Sequence, residues 1–383
     1  MNVALVVERM DVTLGGRERY TAQVAAALAC KGVDVTIVCQ QAKFESTGVK
    51  IVELGRRGAL RYSKLANFIA DARAYLRKNR FDIVHAMMSL PGADIYQPHG
   101  GIAPAALQNR LERRGVLGKI FTRLAWPLNF NRMVSSAFEK QIVKDKSTCC
   151  LCVSDKIAHE FKRYFGRVEN VRVLFNGVDC PPADTPSRDK WRRQRRGELG
   201  IADDEIVFLT AANNFELKGV PQLIHAFAAW QGRTQKRGRL IIVGRGNIAK
   251  YQALASRLGA GGKVHFAAVT TEIFQWYAAA DVIALLSWYD ACGLVLLEAV
   301  SWGIPTLTTI NAGAAGLVAA GRCGLVVSSP EDRPAIAAAL EKLSDVNTRA
   351  AMSGAGLKLG PTLTIGRHVD ELIELYRQLQ KKK

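Results

Sequence analysis

The chain of 383 residues is short of acid: 34 Asp and Glu stand against 53 Lys and Arg, a formal net charge of +19. That shortage points to an anionic partner, whether nucleic acid, an acidic membrane surface or a phosphorylated ligand. The opening "MNVALVVERMDVTLGG" has no basic segment and too short an apolar run for a secretory leader, so none is expected. Nor is there a convincing membrane span. The longest uncharged stretch, Ala299 to Gly321, is long enough, but it carries Pro305, Asn311, several glycines and hydroxyl residues, which suit turns and a short strand. No repeat with a period of roughly 20 to 50 residues is visible. Clustered metal ligands are missing as well. Cys149, Cys150 and Cys152 lie in "STCCLCVS", where strand neighbours face opposite ways and cannot converge on one ion. They are expected to be core thiols, and free thiols indicate a reducing compartment.

What is plentiful is apolar material, 49% of the chain, enough for two or three packed domains. Short apolar runs alternate with helical patterns. "NVALVV", "VDVTIVC", "FDIVHAM", "TCCLCVS" and "VRVLF" are predicted strands of a first domain, residues 1–180. "NGVDCPPADTPSRDKWRRQRRGELG" is then rich in proline, charge and turn residues and is expected to be a linker. "EIVFLTAA", "RLIIVG", "KVHFAAV", "DVIALLS", "PTLTT" and "CGLVVSS" restart the alternation in a second domain, residues 185–364. Alternation of this kind predicts two doubly wound parallel α/β domains, with ligands held outside the carboxyl ends of the strands, in a cleft between them.

The most informative stretch is "YDACGLVLLEAVSWGIP", residues 289–305. It follows the strand "DVIALLS" and opens a helix. Gly293, Leu294 and Val295 then offer amides without intrahelical partners at the positive end of a helix dipole, a natural anion site. Asp290 precedes that helix and Glu298 lies about one turn into it. A carboxylate accepts two hydroxyl bonds and so grips a diol. Asp290 could equally be a plain helix cap. A cap does not explain Glu298 among Val295, Leu296, Leu297 and Val300.

Other candidates are weaker. Gly15 and Gly16 let backbone approach a ligand, or make a tight strand-to-helix turn. His99 sits in the loop "YQPHGG", where chemistry is often carried; His85, ending a strand, is expected to be a core or edge histidine. "VGRGNIA" fits a dinucleotide fingerprint, but turn geometry explains it. "SRDKWRRQRRGE" holds six cations with only Trp191 for stacking, so a solvated helix is expected rather than a nucleic-acid site. In "ALQNRLERRGVLGKIFTRLAWPLNFNR", Leu117, Ile120, Phe121 and Leu124 recur at helical spacing beside Lys119 and Arg123, with Trp126 and Phe130 beyond. That suits a helix lying on an anionic membrane, or a core helix with a charged outer face.

"D-ACGLVLL-E-AVSWGIP" resembles the hallmark of glycosyltransferase family 4, two acids eight apart followed by a Glu-Ala and Gly-x-Pro tail. Gly15-Gly16, "FDIVH", "FNGVD" (Phe175 to Asp179), "LKGV" (Leu217 to Val220), "VGRGN" and "YAAADVIALLSWYD" follow the family in order along essentially the whole chain. "HAMMSLPGADIYQPHGG" and the basic insertion after it look most like lipopolysaccharide core glucosyltransferases. The resemblance implies the GT-B fold, two Rossmann-like domains facing across a cleft, with the last helix, about 365–383, crossing back to the first. It implies a retaining hexosyltransferase using a nucleotide diphosphate sugar, UDP-glucose first, with a glycan or lipid-linked acceptor on the first domain. Glu298 would hold the ribose, Asp290 hydroxyls of the donor sugar, Lys218 the diphosphate, and His99 the sugar or acceptor near the reacting carbon. Such an enzyme needs no cofactor and no metal, and no Asp-x-Asp triplet is present. It would sit in the cytoplasm, peripheral on the inner face of the membrane, and no nucleic-acid partner is expected. Two departures stand out. The first acid is Asp290 where the family has glutamate, and the arginine usual beside the lysine is replaced by Asn213, Asn214 and Leu217, leaving Arg245 as a substitute. Other readings are a sugar-nucleotide epimerase or phosphorylase of similar fold, or a nucleic-acid-binding protein with an inactive cleft.

Overall fold

A computed structural model describes residues 1–125, 129–180 and 186–382. The side chains of Leu117, Arg123 and Leu124, and Trp126 as a whole, lie outside the described residues, so those members of the apolar stripe are not placed.

The described chain forms two compact units, one of residues 1–177 and 365–383, the other of residues 178–364. The first is built on strands β1 (Asn2–Val6), β2 (Asp34–Cys39), β3 (Val49–Glu53), β4 (Ile83–Ala86), β5 (Ile95–Tyr96), β6 (Cys149–Cys152) and β7 (Val171–Val173). They run parallel in the order β3-β2-β1-β4-β5-β6-β7. Strands such as "CCLC" are buried on both faces, which is why they are continuous apolar runs rather than alternating ones. The cysteines of β6 are free, and burial pushes the thiols of Cys149 and Cys150 up to about 11 and about 12. No group of three or more metal-ligating residues exists among the described residues.

The helix Ile365–Gln380 completes this unit. Its buried face is His368, Val369, Leu372, Ile373, Tyr376 and Leu379, a helical stripe that joins the core of β1 and β2. It lies against the helix Gly16–Cys30, with Lys31 and Asp370 paired at 2.7 Å.

The second unit has β8 (Ile206–Ala212), β9 (Gly238–Gly244), β10 (Val264–Ala267), β11 (Val282–Leu285), β12 (Thr306–Thr309) and β13 (Gly324–Val327). Their parallel order is β10-β9-β8-β11-β12-β13. In each unit the winding reverses once, between β1 and β4 and between β8 and β11. At such a reversal the loops leaving neighbouring strands diverge and open a crevice.

The basic run after the first unit departs from expectation. Ser187–Glu198 is a helix, as one reading expects, but it belongs to the second unit rather than to a linker, and its arginines other than the exposed Arg193 are packed against neighbouring elements instead of lying free in solvent. Arg196 is 4% exposed. It bonds the carbonyls of Ala279, Ala202 and Glu205 and pairs with Asp281 at 2.6 Å. Arg192 bonds the carbonyls of Ala278 to Ala280 and pairs with Asp281 at 2.7 Å. Arg188 lies over Trp302, and Arg195 over Trp276. The physical reason is the adjacent helix Ile273–Ala279, whose C-terminal carbonyls carry negative charge and need donors. Two arginines supply them.

Candidate active site

Lys218 lies in the loop after β8, Asp290 in the loop after β11. They are 72 residues apart in sequence, yet their strands are neighbours at the reversal. The two loops are fastened together where the Trp288 amide donates to the Leu217 carbonyl at 2.9 Å. Gly219 makes this contact possible. A Cβ there would stand 2.0 Å from the Leu286 carbonyl oxygen, so no other residue fits without parting the loops. As a result the Lys218 ammonium forms an ion pair with Asp290 Oδ2, with side-chain exposures of 22% and 16%.

The other Asp290 oxygen, Oδ1, accepts from the amides of Cys292 at 3.3 Å and Gly293 at 3.1 Å. Asp290 is therefore both a cap and half of a charge pair. Its backbone is clamped too, donating to the Asn311 carbonyl and accepting from the Gly313 amide. Gly293, at φ 85°, takes the left-handed turn that starts the helix Leu294–Ser301. The amides of Leu294 and Val295 have no partner among the described residues, as the first turn of a helix requires.

Glu298 follows one turn later, 4% exposed. Its Oε2 accepts from the Tyr277 hydroxyl at 2.8 Å. An acid so deep in an apolar helix needs such a partner. Arg245 is exposed beyond β9.

The first unit holds the remaining candidates. Gly15 precedes the helix Gly16–Cys30 and its carbonyl accepts from the Arg19 amide. His99 follows β5 and lines a cavity of 280 Å³ together with Arg17, Met87, Ser89, Gly100 and Arg132. Its Nε2 is buried without a partner among the described residues. Burial, then the charge of Arg17, holds the imidazole well below the usual histidine range, so it is neutral at pH 7. Glu139 closes the cavity floor, accepting from Tyr96 at 2.7 Å and from the Ala103 amide at 2.9 Å. His85 is a core histidine, fully buried, bonded to Tyr376 at 2.8 Å and pushed down to about 3 by burial.

The structure thus joins Lys218, Asp290 and Gly293 directly and sets Glu298 one turn away. Sequence reasoning missed Tyr277, the partner of Glu298, and Tyr20 and His368 near His99. Tyr277 does open the matching stretch "YAAADVIALLSWYD", but nothing in it marks the tyrosine as facing an acid.

The two units correspond to two family models: residues 14–181 match Glycosyltransferase Family 4, and residues 192–358 match Glycosyl transferases group 1. The lipopolysaccharide glucosyltransferase WaaG of Escherichia coli is 26% identical over 370 residues, 96% of this chain and 94% of that one. The crystal structure of WaaG, a glycosyltransferase involved in lipopolysaccharide biosynthesis, superimposes with a TM-score of 0.81 at 23% identity, covering 98% and 99% of the two chains. Anabaena HepE, solved in complex with UDP-glucose, gives 0.74 at 18% identity over 98% and 99%. The chain belongs to the glycosyltransferases of family 4 with a group 1 second half, and its two parallel α/β domains are those of the GT-B fold.

Proposed function

We propose that the protein is a retaining glycosyltransferase that moves a hexose from a nucleotide diphosphate sugar to a glycan or lipid-linked acceptor such as lipopolysaccharide core. UDP-glucose is the first donor to test, which the HepE complex supports by analogy. The observation that carries the reading is the Lys218–Asp290 pair beside the unpartnered amides of Leu294 and Val295, at the reversal of the second sheet. An entering diphosphate takes the ammonium from Asp290 and lies against the helix N-terminus. Released from Lys218, Asp290 turns its carboxylate to the sugar hydroxyls, and Glu298 takes the ribose. Gly293 keeps the backbone close, while in the first unit Gly15 and Gly16 leave room for ligand and His99 faces the sugar or acceptor near the reacting carbon. Catalysis then comes from positioning and charge stabilisation, with the departing phosphate as base and neither metal nor cofactor required.

The acceptor reading draws on the surface after His99. Lys119, Ile120, Phe121, Phe130 and Met133 are all exposed, an apolar group with cations beside it. None of the described helices is long and apolar enough to cross a membrane. Docking on the anionic inner face of a bilayer, from the cytoplasm, would bring a lipid-linked acceptor to the first unit.

Titration calorimetry with UDP and UDP-glucose in excess chelator tests the donor site. Binding should persist without divalent metal. Glu298→Ala should weaken UDP by roughly 10 to 150-fold, the loss of a hydrogen bond to a charged group. Asp290→Ala should leave UDP affinity unchanged or raise it, because Lys218 is freed, while transfer falls. Equal loss of UDP in both variants, or loss of all binding with chelator, sinks the reading.

A further inference from the structure

His99 lies against Tyr20, ring centroids 4.4 Å apart and planes inclined by 50°. Stacking alone would be served by phenylalanine. Tyr20 is a tyrosine whose hydroxyl sits 2.6 Å from His368 Nε2, across 348 residues of sequence. His368 Nδ1 is 2.8 Å from the Phe175 carbonyl oxygen. A carbonyl can only accept, so Nδ1 carries the proton and Nε2 is the acceptor. The Tyr20 hydroxyl therefore donates to His368 and is left to accept from Gln97 Nε2 at 3.3 Å. Gln97 also holds the His99 backbone, whose amide donates to the Gln97 carbonyl at 3.0 Å. Tyr20, Gln97 and His368 are each 0% exposed. Donation thus runs one way, from Gln97 through Tyr20 and His368 to the Phe175 carbonyl, and the phenol ring has one orientation. Burial pushes His368 down to about 4, so it stays the neutral acceptor this chain of bonds requires.

We infer that Tyr20 and His368 are positioning residues for His99: the helix Ile365–Gln380 sets the Tyr20 ring through His368, and that ring sets the imidazole face presented to the 280 Å³ cavity. This rests on the reading that His99 meets the sugar or acceptor. It gives the C-terminal helix a task at the site beyond filling the core. Without the Tyr20 hydroxyl the stack would survive, but the ring would lose its anchor and His368 its buried donor.

A double-mutant cycle on the full chain tests this. Tyr20→Phe keeps the ring and removes the hydroxyl. It should lower kcat about tenfold, since small misplacement of a reacting group is costly, and leave UDP affinity, a property of the second unit, unchanged. In a His99→Ala background the same change should alter kcat by less than about twofold, because the group it acts through is gone. Equal factors in both backgrounds would show that the hydroxyl supports folding only. The His99 Hε1 resonance of the unliganded protein reads the same question without turnover. It should be one line in wild type and shifted or broadened in Tyr20→Phe; an unmoved line overturns the inference. Full activity of His99→Ala would overturn the reading of His99, and the inference with it, whereas a defective His99→Ala with multiplying factors removes the positioning role alone. If Tyr20→Phe does not fold, His368→Asn is read in its place, because its amide can still donate to Phe175 but is too short to anchor Tyr20.

Discussion

Two segments of this chain carry dense positive charge, and they put it to opposite ends. In Ser187–Glu198 two of the arginines, Arg192 and Arg196, are turned inward, onto the carbonyl end of the helix Ile273–Ala279 and onto Asp281. In the stretch around Val116–Ala125, Lys119 is exposed, and so are Ile120 at 51% and Phe121 at 67%. The first is a packing device written in arginine; the second leaves charge and apolar surface together in solvent. Composition treats them alike. What separates them is whether a neighbouring element has backbone acceptors to offer, because guanidinium, with five donors in a plane, satisfies a helix end as well as it binds an anion.

That contrast can be broken most forcefully at Arg196. Arg196→Ala leaves Asp281 with Arg192 and the Val207 amide but removes a buried charged donor from it and from the carbonyls of Ala279, Ala202 and Glu205, and losing a hydrogen bond to a charged group costs about 1.5–3 kcal/mol. Urea unfolding should show that loss, and a change under about 1 kcal/mol would mean the charge is not structural after all. Arg192→Ala should cost less, about 1–2 kcal/mol, because its side chain is 35% exposed and solvent screens the pair. At the other segment the order of effects inverts. Ile120→Ser with Phe121→Ser should change unfolding by less than about 0.5 kcal/mol, yet it should release the protein from vesicles rich in anionic lipid. Retention by those vesicles would return the segment to the class of ordinary helices. Salt gives the finest test. Raising it to about 1 M shortens the screening length to about 3 Å. Vesicle binding should weaken in part, while the stability conferred by Arg196 should hardly move.

The sequence was legible where burial is two-sided. The strands "NVALV", "CCLC" and "VIAL" announce themselves because both faces are covered. Val49–Glu53 was missed because it is an edge strand with no fully buried residue, and Ile95–Tyr96 because two residues make no pattern. Asp290 and Glu298 stood out as acids in an apolar run. Lys218 stood out only through the resemblance of "LKGV", and its pairing with Asp290 becomes visible once β8 and β11 are known to be neighbours, whereas Tyr277 and Tyr20 look like any core aromatic. The supposed linker shows the limit from the other side. Proline and charge do signal a boundary, but periodicity cannot say whether an arginine meets water or a carbonyl.

One feature of the first unit bears on how the protein is made. Its core takes Val369, Leu372, Ile373, Tyr376 and Leu379 from the last helix, while residues 178–364 form a separate unit. At roughly 5–20 residues per second of synthesis, the second unit occupies on the order of ten seconds or more. Throughout that time the apolar groove of the helix Gly16–Cys30 has no cover, and Tyr20 has no His368 to receive its proton. The unit begun first is thus completed only after the second, and in the interval a hydrophobic surface stays open to water.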